Sequence, residues 1–231
     1  MKQIIKDALI LFAITAIAGV LLAVVNEMTK EPIARQEEEK KQEACRAVFE
    51  DAAEFVLLEV NYDATYETWA ANYPNNEIAE VYEARDVSGN LIGYVITVVN
   101  KEGYSGAISF AMGMRLDRTL NGISILTTSE TVGLGLEAET VLVPQFANRN
   151  VESFVYTKNG AVAENEIDAI SSATITTNAF VNGVNESFPL IKELIPSLMS
   201  MVIAVNLLRA CGLIEDLSSF LSSKFSKANY F

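Results

Sequence analysis

The chain begins with a long apolar segment. Ala8 to Val25 is a run of eighteen residues without a charge, long enough to cross the hydrocarbon core of a bilayer. Neither a small-x-small cleavage site nor a lipobox cysteine follows the run, so an uncleaved anchor is predicted over residues 1–28 rather than a secretory signal peptide. Lys2 and Lys6 flank its start, but basic residues follow on the other side too, so charge alone leaves the orientation open.

Residues 29–50 are rich in charge and predict a solvated stalk helix. Pro32 suits the first helical position, with Thr29 or Glu31 near the cap. Glu37 and Lys41 stand four residues apart and favour a helix locally. The stalk is expected to lift the following domain off the membrane.

From about residue 54 the apolar positions alternate with a period of two, which is typical of strands. Strands are predicted at 55–58, in a hairpin of 81–87 and 91–99 around Ser88-Gly89-Asn90, and near 104–114 and 122–128. A short helix is expected at 144–148, a small hairpin at 153–163 and a helix at 174–194. Residues 51–195 therefore predict an α+β domain, a twisted antiparallel sheet with flanking helices.

Residues 196–231 form a tail of different character. Leu198 to Ile214 is mostly apolar but short and carries Arg209, while Glu215 to Phe231 is amphipathic and rich in serine. A helix at the membrane interface or docked on a partner is as consistent with this pattern as a second crossing.

Charge and composition exclude several classes of protein. The net charge is -13, and residues 50–170 hold six Lys or Arg against nineteen Asp or Glu. Such an acidic body repels phosphate backbones, so no nucleic-acid partner is expected. The chain has no histidine and no CxxC pair, only Cys45 and Cys211, so no metal site is expected. Any redox chemistry would need a bound organic cofactor.

The string Asp168 to Thr177 predicts a strand end that leads into a helix. Ser171 or Ser172 is positioned to cap the first turn. Unpaired N–H groups and the positive end of the helix dipole suit a phosphate group, and Thr174 carries a hydroxyl there. Taken alone the string is weak, since Ser/Thr runs also begin helices that bind nothing.

Two further strings contain glycines beside polar residues. Thr127 to Gly135 ends a predicted strand, and Gly133 and Gly135 would allow a flat ligand to approach the backbone. Tyr104 to Ile108 opens the strand before it. Either string is also typical of ordinary turns.

In this order, the three strings and the anchor resemble a family of FMN-binding subunits. They are similar to the G subunit of the Rnf ion-translocating electron-transport complex and to the C subunit of the sodium-translocating NADH:quinone reductase. The shared motifs are Tyr-x-Gly-x-Ile, Glu-Thr-x-Gly-x-Gly and Asp-x-x-Ser-Gly-Ala-Thr-x-Thr/Ser, in a chain with one membrane helix. The cofactor-binding residues that the resemblance implies are Tyr104, Glu130, Thr131, Gly133, Leu134, Gly135, Asp168, Ser171, Ser172, Ala173 and Thr174.

The resemblance also implies a mechanism and a location. A flavin transferase would join the phosphate of FMN to the Thr174 hydroxyl in a phosphoester, and the loop at Glu130 to Gly135 would line the flavin ring. The protein would relay electrons between other membrane subunits of a ferredoxin or NADH redox complex, without being an independent enzyme. It would cross the cell (inner) membrane once, with its domain outside the cytoplasm.

Two positions depart from the family pattern. Ser172 replaces a glycine, which is costly if the backbone there requires positive φ, and Val132 replaces a proline. Two other functions stay open at this point: a sensor that holds FMN without a covalent bond, and a structural module outside the cytoplasm.

Overall fold

The computed structural model describes residues 2–58 and 64–211 of the chain. Its helices and strands follow in the order α1 (Lys2–Val48), β1 (Glu54–Leu58), α2 (Ala64–Asn72), β2 (Asn76–Arg85), β3 (Leu91–Asn100), β4 (Ile108–Arg115), β5 (Leu120–Thr127), α3 (Ala138–Val141), β6 (Val155–Thr157), β7 (Glu166–Asp168) and α4 (Thr174–Ala210). The fold is α+β, as predicted.

Strands β1 to β5 form an antiparallel meander in which each strand pairs with the next. Because side chains alternate between the two faces of a strand, Val81, Ile96, Met112 and Ile123 stand in one row across β2 to β5. All four are buried in the main core, where Phe180 of α4 joins them. Helix α4 therefore covers this face of the sheet.

The opposite face of the sheet receives the end of α1. Two glycines make room for it: a Cβ at Gly113 would lie 2.9 Å from the Val48 Cβ, and one at Gly93 would lie 2.5 Å from the Phe49 ring. The Arg115 guanidinium caps that ring at 5.4 Å from its centroid. The C-terminal end of α1 thus packs directly on the sheet.

Anchor and stalk form one continuous helix. Within the described residues, one helix is long and apolar enough to cross a membrane, Gln3–Val48, and the side chains of its apolar run are exposed. The prediction that Pro32 begins a separate stalk helix is wrong, since Pro32 lies inside α1. Thr29 is no cap either, because its hydroxyl donates back to the Val25 carbonyl at 2.9 Å.

The five strands of the sheet were predicted in the right order, with differences at their ends. The strand predicted from Tyr104 begins only at Ile108, after a turn with Gly106 at φ 138°. The helix predicted at 144–148 is a short 3-10 turn, Val143–Phe146, which follows α3.

The small hairpin predicted at 153–163 is wrong. Strand β6 pairs in parallel with β7 instead. The backbone N–H of Ala161 donates to the Asp168 carboxylate, and those of Val162 and Ala163 donate to the Glu166 carboxylate. These amides are therefore occupied by side chains, and no strand forms across the turn at Gly160.

Helix α4 is longer than the predicted 174–194, since it continues past Pro196 to Ala210. The amphipathic stretch from Glu215 lies outside the described residues. Helix α2 was not predicted. Its Trp69 is buried and donates its indole N–H to the Glu186 carbonyl of α4 at 2.6 Å, which fixes α2 against α4.

Candidate cofactor-binding site

A cleft of about 500 Å³ opens where β5 ends, β4 begins and α4 starts. Its volume is in the range of small-molecule and cofactor sites. It is lined by Tyr104, Glu130, Thr131, Leu134, Gly135, Ser172, Ala173, Thr174, Ile175 and Thr176. The three strings singled out in the sequence therefore meet in space, although the first and last are far apart along the chain.

One wall of the cleft is the N-terminal turn of α4. The first N–H groups of a helix have no partner within the helix, and they lie at the positive end of its dipole. Ala173, rather than a serine, occupies the position before the first helical residue, so the predicted cap at Ser171 or Ser172 is wrong. Those two serines form the turn that leads into the helix.

Thr177 holds this turn in place. Its hydroxyl accepts a hydrogen bond from the Ile170 N–H at 3.1 Å and donates to the Ala173 carbonyl at 3.0 Å. Thr177 is completely buried, so the path of the chain into α4 is fixed from beneath. The result is a rigid backbone just ahead of Thr174.

The three threonines of the string differ in accessibility. Thr176 and Thr177 are buried, and both hydroxyls are engaged in hydrogen bonds. Thr174 is partly exposed and lines the cleft. Among the threonines of the string, Thr174 is therefore the accessible one, whereas Thr176 contributes to the lining from a buried position.

The facing wall is the loop that follows β5. Glu130 is 6% exposed, and its carboxylate accepts a hydrogen bond from the Thr176 hydroxyl at 3.0 Å. Gly135 packs so closely on this side chain that a Cβ would lie 2.6 Å from a carboxylate oxygen. Gly133 has φ 74°, a conformation that favours glycine. Leu134 closes the loop with a 40% exposed side chain in the cleft.

Two family models match the chain. The model of an FMN-binding domain matches residues 103–188, and that of the RnfG N-terminal region matches residues 1–48. The G subunit of the Na(+)-translocating ferredoxin:NAD(+) oxidoreductase complex of Acetobacterium woodii is 30% identical over 195 residues, which cover 84% of this chain and 94% of that protein. The chain belongs to this RnfG family.

A second relative and a solved structure are also similar to this chain. The G subunit of the ion-translocating oxidoreductase complex of Methanosarcina acetivorans is 31% identical over 191 residues, which cover 80% of this chain and 93% of that protein. A crystal structure of NqrC from Shewanella oneidensis covers 67% of this chain and 88% of its own, with a TM-score of 0.48 and 18% identity.

Most of the residues that the RnfG resemblance implied do line the cleft. Three do not: Gly133, Ser171 and Asp168 are absent from its lining. Asp168 instead accepts a hydrogen bond from the Ala161 N–H at 2.6 Å, and its backbone is clamped by the Gln145 side chain. Its carboxylate thus shapes the loop ahead of the turn that leads into α4.

Two lining residues were missed, Ile175 and Thr176. Both lie next to Thr174 in the same string, but the sequence does not tell which side chains of a first helical turn face a cavity. Ile175 is exposed, whereas Thr176 is buried. Their position next to Thr174 in the sequence was the one signal by which they could have been predicted as lining residues.

Ser172, which stands where the RnfG pattern has glycine, adopts a backbone conformation that favours glycine. Ser172 has φ 63°, in the left-handed region that glycine adopts at little cost. The backbone at this position therefore has the positive φ that makes a serine costly. Because the serine lacks the freedom of glycine, this RnfG-type chain carries local backbone strain beside Thr174.

The cleft fits FMN at both of its ends. The start of α4 offers unpaired N–H groups and a hydroxyl for a phosphate. Tyr104 and Leu134 offer exposed apolar surface for a flat ring, since both side chains line the cleft. Neither Lys nor Arg is among the lining residues, so the donors that the described site presents to an anion are helix N–H groups and side-chain hydroxyls.

Proposed function

We propose that this chain is the electron-carrying G subunit of an Rnf-type ion-translocating complex, with FMN attached through a phosphoester to Thr174. The observation that carries the proposal is the accessibility of Thr174. It opens on a cleft at a helix N-terminus, while Thr176 and Thr177 are buried and hydrogen-bonded.

In the proposed attachment, the Thr174 hydroxyl oxygen bonds to phosphorus and loses its proton to solvent. A flavin transferase supplies the flavin as an activated nucleotide, and the bond between that phosphorus and the oxygen of the nucleotide's leaving group breaks, the leaving group taking the electron pair. The positive end of α4 stabilises the phosphate charge beside the new ester. Ala173 has only a methyl side chain, so a phosphate can approach the backbone at this turn.

The bound flavin would supply the ability to accept and release electrons, which the side chains of this protein lack. Tyr104 and Leu134 would bury part of its ring, and the loop from Glu130 to Gly135 would orient it. The protein would take electrons from one membrane partner in the complex and pass them to another. The domain would lie outside the cytoplasm, where a covalent bond prevents loss of the cofactor.

The position of the cleft relative to the anchor supports this relay. Glu37 and Lys40 of α1 line one groove with Ser109 and Thr127, at the end of the sheet where the cleft also opens. Glu37 follows the apolar run, whose last residue is Val25, by about 18 Å along the helix. The cleft is therefore at the end of the domain nearer to the membrane anchor, where a membrane-embedded partner can reach it.

Intact mass spectrometry of the full-length protein, coexpressed with a flavin transferase, tests the attachment. The denatured chain is expected to be heavier by FMN less one water, and its band on a denaturing gel should fluoresce. Thr174→Ala should lose both signals, whereas Thr131→Ala, a second threonine that lines the cleft, should keep them. A colourless protein of unmodified mass would refute the proposal, and colour that washes out on denaturation would indicate the non-covalent alternative.

A further inference from the structure

The cleft has a buried carboxylate in its wall, that of Glu130. Its Oε2 accepts a hydrogen bond from Thr176 and its Oε1 a long one, 3.4 Å, from the Ser105 N–H. A Cβ at Gly103 would lie 2.9 Å from Oε1, so this carboxylate is also packed against the loop before β4. Glu130 thus touches all three segments that build the cleft.

Among the side chains that the structure describes, no cation forms an ion pair with this carboxylate. The ion pairs there join Lys or Arg to Glu77, Glu80, Glu83, Asp51 and Glu152. The polar partners of Glu130 are a hydroxyl, a backbone amide and the positive end of α4. These dipoles stabilise the carboxylate but leave its net negative charge in the wall.

We propose that Glu130 is a positioning and charge-setting residue: its fixed negative charge lowers the reduction potential of the flavin held in this cleft. This inference rests on the proposed function, because it requires a bound flavin. Reduction adds negative charge to a flavin unless a proton follows each electron. A neighbouring carboxylate disfavours such anionic reduced states and leaves the neutral oxidised state nearly unaffected.

The size of the effect follows from Coulomb's law. Because Glu130 lines the cleft, a ligand there would lie close to its carboxylate, and roughly 10 Å is taken as the separation for the estimate. At that distance and an effective dielectric constant of about 20, two unit charges change an equilibrium constant by roughly tenfold or more. Exposed carboxylates are screened by water and counterions, so their effect is much smaller.

The test compares midpoint potentials of the flavin-loaded, full-length protein with those of its variants by anaerobic spectroelectrochemical titration in detergent. Glu130→Gln retains the shape of the side chain but removes the charge. We expect it to shift the equilibrium toward reduced flavin by about tenfold, which is about 59 mV for a one-electron couple. Glu130→Met, neutral and of different polarity, should shift it in the same direction, and it serves if the Glu130→Gln protein does not fold.

Two controls separate charge from structure. Glu130→Asp keeps the charge and should stay within about twofold of wild type, a difference that corresponds to much less than one step of about 59 mV. Glu139→Gln removes an exposed carboxylate of α3 and should leave the potential unchanged.

The outcomes are distinct. If the wild-type protein takes up flavin but both neutral variants have the same midpoint potential as wild type, the inference is overturned and the proposed function stands. Folded Glu130→Gln protein that takes up no flavin also overturns it, because Glu130 would then serve attachment rather than potential. Wild-type protein that takes up no flavin overturns the proposed function instead.

Discussion

The hydroxyl of Thr176 donates a hydrogen bond of 3.0 Å to the carboxylate of Glu130, 46 positions earlier in the chain. Both side chains are buried, so this bond joins the first turn of α4 to the loop after β5 away from water. The two walls of the cleft are thereby held at one distance. Their separation depends on a contact between two polar side chains rather than on apolar packing alone.

A double-mutant cycle measures this contact. Thr176→Val should reduce the free energy of unfolding by about 1–3 kcal/mol, because it leaves a buried carboxylate oxygen unpaired. In a Glu130→Met background the same substitution should cost less, since that oxygen is gone. Denaturant unfolding of the full-length protein in detergent, followed by the fluorescence of the buried Trp69, gives both values. Additive effects of the two substitutions would show that the hydrogen bond contributes nothing of its own.

The seat of α1 on the sheet predicts a sharp contrast between two paired glycines. Gly113 and Gly122 face each other across β4 and β5. Gly113→Ala should destabilise the domain by about 1–3 kcal/mol, because the new methyl group would press on Val48. Gly122→Ala is the matched control: its Cβ meets nothing within 4 Å, so its effect should be small. Equal effects of the two substitutions in denaturant unfolding would contradict the described docking of α1.

The strained Ser172, in the turn before α4, predicts a stabilising substitution. Ser172→Gly should raise the free energy of unfolding by roughly 1 kcal/mol, because φ 63° is unfavourable for a residue with a Cβ. The adjacent Ser171 has no positive φ, and Ser171→Gly should instead destabilise by about 0.5–1 kcal/mol through added freedom of the unfolded chain. Thermal unfolding of both variants checks the pair. A destabilised Ser172→Gly protein would contradict the backbone conformation.

Glu186 predicts a dependence of stability on pH. Burial raises the pKa of Glu186, and the nearby charge of Glu102 raises it further against a hydrogen bond from Asn76 that lowers it. The folded protein therefore holds this proton more tightly than the unfolded chain, whose pKa is near the ordinary value of 4.5. The contribution of this bound proton to the free energy of unfolding is fully present below pH 4.5, and it is lost as the pH rises through the raised pKa of the folded state.

The variant Glu186→Gln removes this titration but keeps a partner for Asn76. The difference in free energy of unfolding between wild type and variant should change in the variant's favour as the pH rises from about the ordinary pKa of 4.5 toward neutrality. Urea unfolding at several pH values measures it. A difference that is independent of pH would show that Glu186 has an ordinary pKa in the folded protein.

The local pattern of residues was sufficient for much of this fold. Three of its patterns depend only on residues close together in the chain, so the elements they predict came out in the right order. They are the apolar run from Ala8 to Val25, the alternation in β2 to β5 and the helical spacing after Thr174. Local rules failed at Pro32, which the helix includes, and at residues 161–163, whose amides are taken by Asp168 and Glu166.

The site divides in the same way. Its three strings could be picked out by residue type, because phosphates favour small and hydroxyl-bearing residues at a helix start. Thr174 as the flavin acceptor was implied by the family resemblance and stays a prediction. Which threonine faces the cleft, and that Glu130 lies buried in its wall without a cation among the described side chains, depend on how α4 settles over the end of the sheet. Burial and hydrogen-bond partners depend on contacts between segments that are far apart in sequence, so they cannot be predicted from short-range patterns.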